Sequence, residues 1–294
     1  MILVFAAMYG EVQACFGFGA EPEPREVAGY PVFEAGDIAV CQTGLGRRSR
    51  DVAAAVLPHF KPQAVLSAGV AGGLHPDLRA GHLIVCSHVH HAQMRGGAIE
   101  DASVFSDEHL VSLALETARD AGLEATLGAA VTVDDVAWTP AEKADLRSWK
   151  GHDVVEMESY WIGEVAREAD LPYLALRSVS DQAADALVET PALKPDGEFD
   201  METFQVWIQD HPEHAPLLAE QADRNRRGMG ALTSLLSALL PRLAGPPASC
   251  ARLARRWTRR SGARRTTSCA RSIRRATGLA ISNRTFAWRR STCC

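Results

Sequence analysis

An α/β fold, with a mostly parallel or mixed sheet covered by helices on both faces, is what this sequence predicts. Two observations predict it. Through residues 1–180, short β-rich runs alternate with segments of helical spacing. The β-rich runs are also almost continuously apolar, as strands buried on both faces are.

The elements follow in order. Strands are predicted at 2–8, 37–43, 64–68, 83–87, 125–133, 154–156 and 173–180. Helices are predicted at 50–59, 108–121, 141–149 and 159–169. Val52, Ala55 and Val56 set the i, i+3, i+4 spacing in the first, and Ile162, Val165 and Ala166 in the last. Residues 182–200, rich in Ala, Pro and Asp, read as a loop. Helices follow at 201–209 and 217–240, the second broken near Gly228 and Gly230 and stopped by Pro241. No internal repeat is present. Gly245-Pro246-Pro247 closes the globular pattern, giving a catalytic domain over 1–245 and a tail over 246–294.

Charge divides at the same place. The tail carries 13 arginines and no acid, which leaves 18 of the 31 basic side chains and all 36 acidic ones on 1–245. A basic arm for nucleic acid would have this charge. The tail has no periodicity, however, and its Arg/Ser/Thr/Cys bias and abrupt onset fit a disordered extension or an out-of-frame read. No nucleic-acid partner is expected. The tail also holds four of the seven cysteines. Cys15, Cys41 and Cys86 stand apart in apolar settings and read as buried reduced thiols. Apolar residues make up 47% of the chain, enough for a large core. No apolar stretch reaches about 18 residues, so no membrane span is expected. The N-terminus lacks a positive n-region, and Glu11 follows too soon for a signal peptide. A cytoplasmic protein is expected.

Five stretches carry candidate chemistry. "AAMYGEV" places Glu11 just beyond the first strand, where ligands bind in open α/β sheets and where an acid also suits a helix first turn. "QTGLGRRSR" is a glycine turn into a helix; without a full G-x-G-x-x-G it supports no dinucleotide site. "LSAGVAGGL" sets Gly69, Gly72 and Gly73 after an apolar run, around Val70 and Ala71. "VEMES" and "RSVSD" put Glu156, Met157 and Glu158, then Arg177, Ser180 and Asp181, at consecutive strand ends. An ionised carboxylate accepts two hydrogen bonds, so one Glu can hold both vicinal hydroxyls of a ribose. A methionine beside it can lay its thioether on the sugar's apolar face. "SHVHHAQ" offers His88, His90 and His91; lacking a matching ligand cluster, it reads as a polar strand end rather than a zinc site. No metal or cofactor is expected.

Taken together and in order, these stretches resemble the nucleoside phosphorylase/nucleosidase superfamily, and most closely the 5′-methylthioadenosine/S-adenosylhomocysteine nucleosidases. The resemblance covers about residues 1–182. It implies a three-layer α/β/α sandwich with a mixed, partly barrel-like central sheet, and a homodimer. It implies an adenine nucleoside as substrate, with Asp181 as the acid that protonates N7 and Ser180 orienting it. Glu158 would hold the ribose hydroxyls, and Met157 would pack on the sugar. Glu11 would orient or deprotonate the attacking water, helped by Arg177 and Glu156. Val136 and Ala137 match the segment that contacts the base through its backbone.

Cleaving an N-glycosidic bond builds positive charge on the sugar, and the base needs a proton to leave. That fits an aspartic acid kept protonated by burial and carboxylates near the sugar. Phosphorylases of this superfamily clamp phosphate with arginine and a hydroxyl; here Ser67 and Val70 stand in those places, which favours water. Arg47, Arg48 or a neighbouring subunit remain as sources of the missing charge. Val70 and Val133 depart from the Ser and Gly usual in these nucleosidases. "GVAGGLHPDLRAG" and the 193–228 segment also resemble the hopanoid-associated branch, which removes adenine from a lipid-linked nucleoside. A nucleoside-binding module without turnover is the alternative from another class.

Overall fold

The computed structural model describes residues 1–17, 22–93, 102–194, 196 and 198–245. The predicted tail and its cysteines lie outside the described residues. The chain runs β1 (Ile2–Ala6), α1 (Tyr9–Cys15), β2 (Arg25–Val27), β3 (Tyr30–Ala35), β4 (Ile38–Gln42), α2 (Arg48–Val56) and a 3-10 turn over Leu57–His59. Then come β5 (Ala64–Gly73), β6 (Leu83–Ala92), β7 (Ser103–Phe105), α3 (Glu108–Asp120), β8 (Ala125–Val133) and α4 (Pro140–Lys150). β9 (Val154–Glu156), α5 (Ser159–Glu168), β10 (Tyr173–Asp181), α6 (Met201–Asp210) and α7 (Ala215–Ala244) complete it.

One mixed sheet orders the strands β10-β6-β8-β9-β5-β1-β4-β3-β2, with β7 on β6. β10 pairs with β5 as well as β6, so five strands close into a barrel and the rest extend from it. β1, β4, β5 and β10 run parallel.

Strand periodicity sorts side chains onto the two faces. Leu3 and Phe5 of β1 join Val52 and Val56 of α2 and Ile162, Val165 and Ala166 of α5 in one core. Ile2, Val4 and Ala6 point the other way, onto Val12 of α1, Leu110 and Ala114 of α3, and α7. α7 buries Leu232, Leu235, Leu236, Leu239, Leu240 and Leu243, an i, i+3, i+4 stripe. Each leucine so buried contributes roughly 2 kcal/mol over an exposed one. A third cluster, including Leu74, Val131, Val133, Ala137, Leu146 and Val155, lies under α4. Helices α2 and α5 on one face of the sheet, and α1, α3 and α7 on the other, give the three layers expected.

Several local expectations are corrected. α7 is continuous through Gly228 and Gly230 and contains Pro241. Gly228 is there for contact rather than for a break, since a Cβ on it would sit 2.9 Å from the Val179 carbonyl oxygen of β10. Gly69, Gly72 and Gly73 do not follow a strand but extend β5 to residue 73. β6 likewise continues to Ala92, so the histidine run lies within the strand. The sequence reading missed α1, β2, β3 and β7, all seven residues or shorter. Cys15, Cys41 and Cys86 are buried free thiols, as expected. Burial pushes the Cys41 and Cys86 thiols up to about 12.

Candidate active site

The carboxyl ends of the parallel strands meet at a cavity of about 530 Å³. It is lined by Glu11 after β1, Val70, Ala71 and Gly72 of β5, and Glu156, Met157 and Glu158 at and after β9. Val136 and Ala137 before α4, and Ser180 and Asp181 of β10, complete the predicted set around it. Arg177 alone among the predicted residues is not part of the lining.

Glu11 is placed by both of its sequence readings at once. It stands in the first turn of α1, and its Oε2 accepts from the Ala7 and Met8 amides at 2.9 and 3.0 Å. Its Oε1 accepts from the Val70 amide at 2.9 Å. A Cβ at Gly69 would collide with that same carboxylate and lie 3.1 Å from Arg177 Nη1. Glycine at 69 therefore makes room for an acid of this chain. Burial pushes the Glu11 carboxyl above its usual range, against the opposing pull of Arg177 and the three amides.

Asp181 depends on a bulge. Val179 pairs with Ala71 and Asp181 with Gly72, leaving Ser180 as the extra residue in β10. Gly72 faces the acid: a Cβ there would stand 3.0 Å from Asp181 Oδ2 and 3.1 Å from Val155 Cγ1. Ser180 Oγ lies 2.7 Å from Asp181 Oδ1 and 3.2 Å from the Ala71 carbonyl.

The other oxygen of Asp181 is held by a residue the sequence reading missed. Lys143 of α4 is buried, and its Nζ donates to Asp181 Oδ2 at 2.5 Å. It also donates to the Gln182 and Asp185 carbonyls at 2.9 and 3.0 Å. One signal for it was present. Lys143 stands three residues before Leu146 on the inward face of α4, where an apolar residue belongs.

Glu156, in the cavity wall, forms a buried pair with Arg177 behind it. Arg177 Nε and Nη2 donate to Glu156 Oε2 at 3.2 and 2.6 Å, Nη2 to Ser67 Oγ at 2.9 Å, and Nη1 to the Leu176 carbonyl at 3.2 Å. Glu156 also accepts from the Glu158 and Ser159 amides at 3.0 and 2.7 Å, and from Thr132 Oγ1. Burial alone would raise the Glu156 carboxyl, but Arg177 and these donors hold it below its usual range. Glu158 differs. Its Oε1 accepts from the Gly46 amide at 2.8 Å, at the glycine turn after β4. Burial, then the neighbouring charge of Glu156, push it up to about 8. Two adjacent carboxylates thus differ: one is locked as an anion, the other is poised to titrate near neutrality. Met157 Cε lies by the same turn, 3.7 Å from where a Gly46 Cβ would be. The Val136 amide donates to Asp135 Oδ1 at 2.9 Å.

Beyond these acids the lining is largely apolar, with Leu187, Val188, Leu193, Phe199, Phe204 and Leu218. Neither Arg47 nor Arg48 lines it. Arg47 instead lies over the Trp161 ring at 5.2 Å. His90 and His152 are bonded to each other at 2.9 Å, and His91 stacks on Tyr160. Among the described residues no cluster of three His, Cys, Asp or Glu is placed to hold a metal ion. No described helix is long and apolar enough to cross a membrane.

Known proteins resemble this chain in sequence and fold. A model of the phosphorylase superfamily matches residues 5–215. A 5′-methylthioadenosine/S-adenosylhomocysteine nucleosidase of Glaesserella parasuis is 28% identical over 195 residues, covering 61% of this chain and 85% of that protein. One from Shewanella pealeana is 27% identical over 197 residues, with the same coverage of 61% and 85%. Among solved structures, a mutant of the Helicobacter pylori enzyme of that name, with 5′-methylthioadenosine in its active site, aligns with a TM-score of 0.60. The two are 20% identical, over 81% of this chain and 97% of the other. Futalosine hydrolase of Helicobacter pylori aligns with a TM-score of 0.59 at 22% identity, over 80% and 97%. At such identities the solved structures speak for the fold alone.

Proposed function

Because the chain belongs to the phosphorylase superfamily, whose model matches most of its length, we propose that it is a nucleosidase. It hydrolyses the N-glycosidic bond of an adenine nucleoside, of the methylthioadenosine/S-adenosylhomocysteine type, to free adenine and a 5-substituted ribose. The observation that carries this reading is that Glu11, Glu158 and Asp181, from three separate stretches, line one cavity. The curated relatives bearing that nucleosidase name support it.

The roles follow the chemistry. Asp181 gives its proton to N7 as the bond to the sugar breaks. Glu158 accepts from the ribose hydroxyls, with Met157 beside it. Glu11, raised by burial, takes the proton of the attacking water. Glu156 and Arg177 fix the backbone of residues 158 and 159, and through it the ribose grip. Ser180 orients the acid. A binding module would need neither Asp181 nor Glu11 in this arrangement.

Water, rather than phosphate, is supported as nucleophile. The Arg177 side-chain nitrogens all donate within the protein, and the Val70 amide is taken by Glu11. Phosphate would find neither an arginine clamp nor that strand amide. Incubation with methylthioadenosine, with and without phosphate, tests the proposal. Free adenine with free 5-methylthioribose at equal rates in both is the expected result. Ribose 1-phosphate chemistry appearing only with phosphate would replace it with phosphorolysis, and absence of adenine release would end it.

A second reading concerns the 5′ substituent. The apolar side chains contributed by residues 187–218 favour a larger apolar group, as in the hopanoid-associated branch. A panel of adenine nucleosides with lengthening 5′-alkylthio chains separates the two by kcat/KM. A homodimer acting in the cytoplasm in methionine salvage completes the proposal, and light scattering of the purified protein tests the dimer.

A further inference from the structure

We infer that Lys143 is a positioning residue for the departing base's acid: its buried ammonium holds Asp181 in place and stabilises the carboxylate that proton donation leaves behind. This rests on the nucleosidase reading above, and assigns to that reaction a group which the relatives' names do not point to.

The geometry gives the reason. An ammonium has three donors, and here all three have an acceptor: Asp181 Oδ2, the Gln182 carbonyl and the Asp185 carbonyl. A saturated, buried cation is fixed in place. Its two carbonyl partners belong to the segment that leaves β10 directly after the acid. That segment is tied down again where the Asp185 carboxylate pairs with Arg224 of α7 at 3.1 Å. Lys143 thus joins α4, the end of β10 and, through Asp185, α7. With Ser180 Oγ on Oδ1 and Lys143 on Oδ2, both oxygens of the acid are located before substrate arrives.

In the step itself one proton moves from Asp181 to N7, while the bonding electrons of the sugar–base bond leave with the purine. Water adds its hydroxyl to the sugar and gives its proton to Glu11. Asp181 ends as an anion 2.5 Å from a cation, both buried. That pairing is stronger after donation than before it, which is the requirement for lowering a barrier rather than merely binding. Glu11, Glu156 and Glu158 share the cavity with the pair, Arg177 is held by Glu156, and Arg224 is held by Asp185. None of the described donors to Asp181 other than Lys143 carries a positive charge.

Lys143→Met and Lys143→Gln test the inference, by steady-state kcat and KM of adenine release from methylthioadenosine together with melting temperature. Both variants should lose roughly 10- to 100-fold in kcat, the worth of one charge-assisted bond, with KM nearly unchanged. A loss confined to kcat separates a displaced acid from a damaged ribose grip, which would raise KM. In an Asp181→Asn background, Lys143→Gln should add no further loss. If the methionine variant does not fold, the glutamine variant, which keeps a donor of similar length, supplies the same readings. Full activity without the lysine would overturn the inference. So would a loss carried by KM rather than kcat, or two losses that multiply in the double variant. Wild-type protein that releases no adenine would instead overturn the nucleosidase reading itself.

Discussion

At the scale of single residues, the site separates acids by what surrounds them. Glu156 meets Arg177 and backbone amides and stays ionised, whereas Glu158, one residue beyond Met157, is pushed up to about 8. A group that holds its proton more tightly when folded stabilises the fold at low pH. That contribution is complete below its unfolded value of 4.5 and disappears as pH rises through about 8. Burial of Glu11 acts in the same direction. The melting temperature of the ligand-free protein should therefore fall across this window, and Glu158→Gln should flatten much of the fall; scanning calorimetry over pH checks it. Above about pH 8, where Glu158 is ionised, the same variant removes the charge that accepts the ribose hydroxyls, so nucleoside affinity there should drop by roughly tenfold or more, read by titration calorimetry. Asp181→Asn should lower kcat by at least about 10²-fold while sparing binding. Full turnover in that variant would remove the proton donor from the mechanism.

At the scale of elements, the glycines of β5 are the chief constraint. They lie in a strand, where glycine is ordinarily unfavourable, because Glu11 and Asp181 occupy the space of their missing side chains. Gly72→Ala should keep the fold, displace Asp181 and lower kcat by roughly tenfold or more, since small misplacements of a catalytic group are costly. Steady-state kinetics beside an unchanged far-UV spectrum would establish it. α7 carries stability instead. Leu236→Ala opens a hole in the face shared with β1 and β10, and should cost about 2–5 kcal/mol in denaturant titration. The helix runs unbroken past Gly228 because that glycine lets it approach β10, a reason no helical propensity contains.

At the scale of the whole molecule, the sheet closes where β10 pairs with both β5 and β6, and the closure brings distant acids to one cavity. Deleting residues 246–294 should leave adenine release and melting temperature unchanged, because every acidic side chain and the core of the described residues lie in 1–245; kinetics of the truncated chain checks it. Apolar periodicity alone determined the strand and helix alternation, since strands buried on both faces and one-sided helices must differ in where they put apolar residues. Residue order also determined which acids and which strand ends to examine. Lys143 stayed hidden because a lysine in a helix reads as solvated until the packing of α4 turns it inward. The purpose of Gly69 and Gly72 stayed hidden because a missing side chain does not declare what fills its place. Short strands such as β2 and β7 carry too few residues for a period to register. What only the tertiary structure decided is the pairing of charges: which acid meets Arg177, which meets Lys143 and which is left in apolar surroundings. Coulomb energies depend on distance and burial through space, and neither is written along the chain.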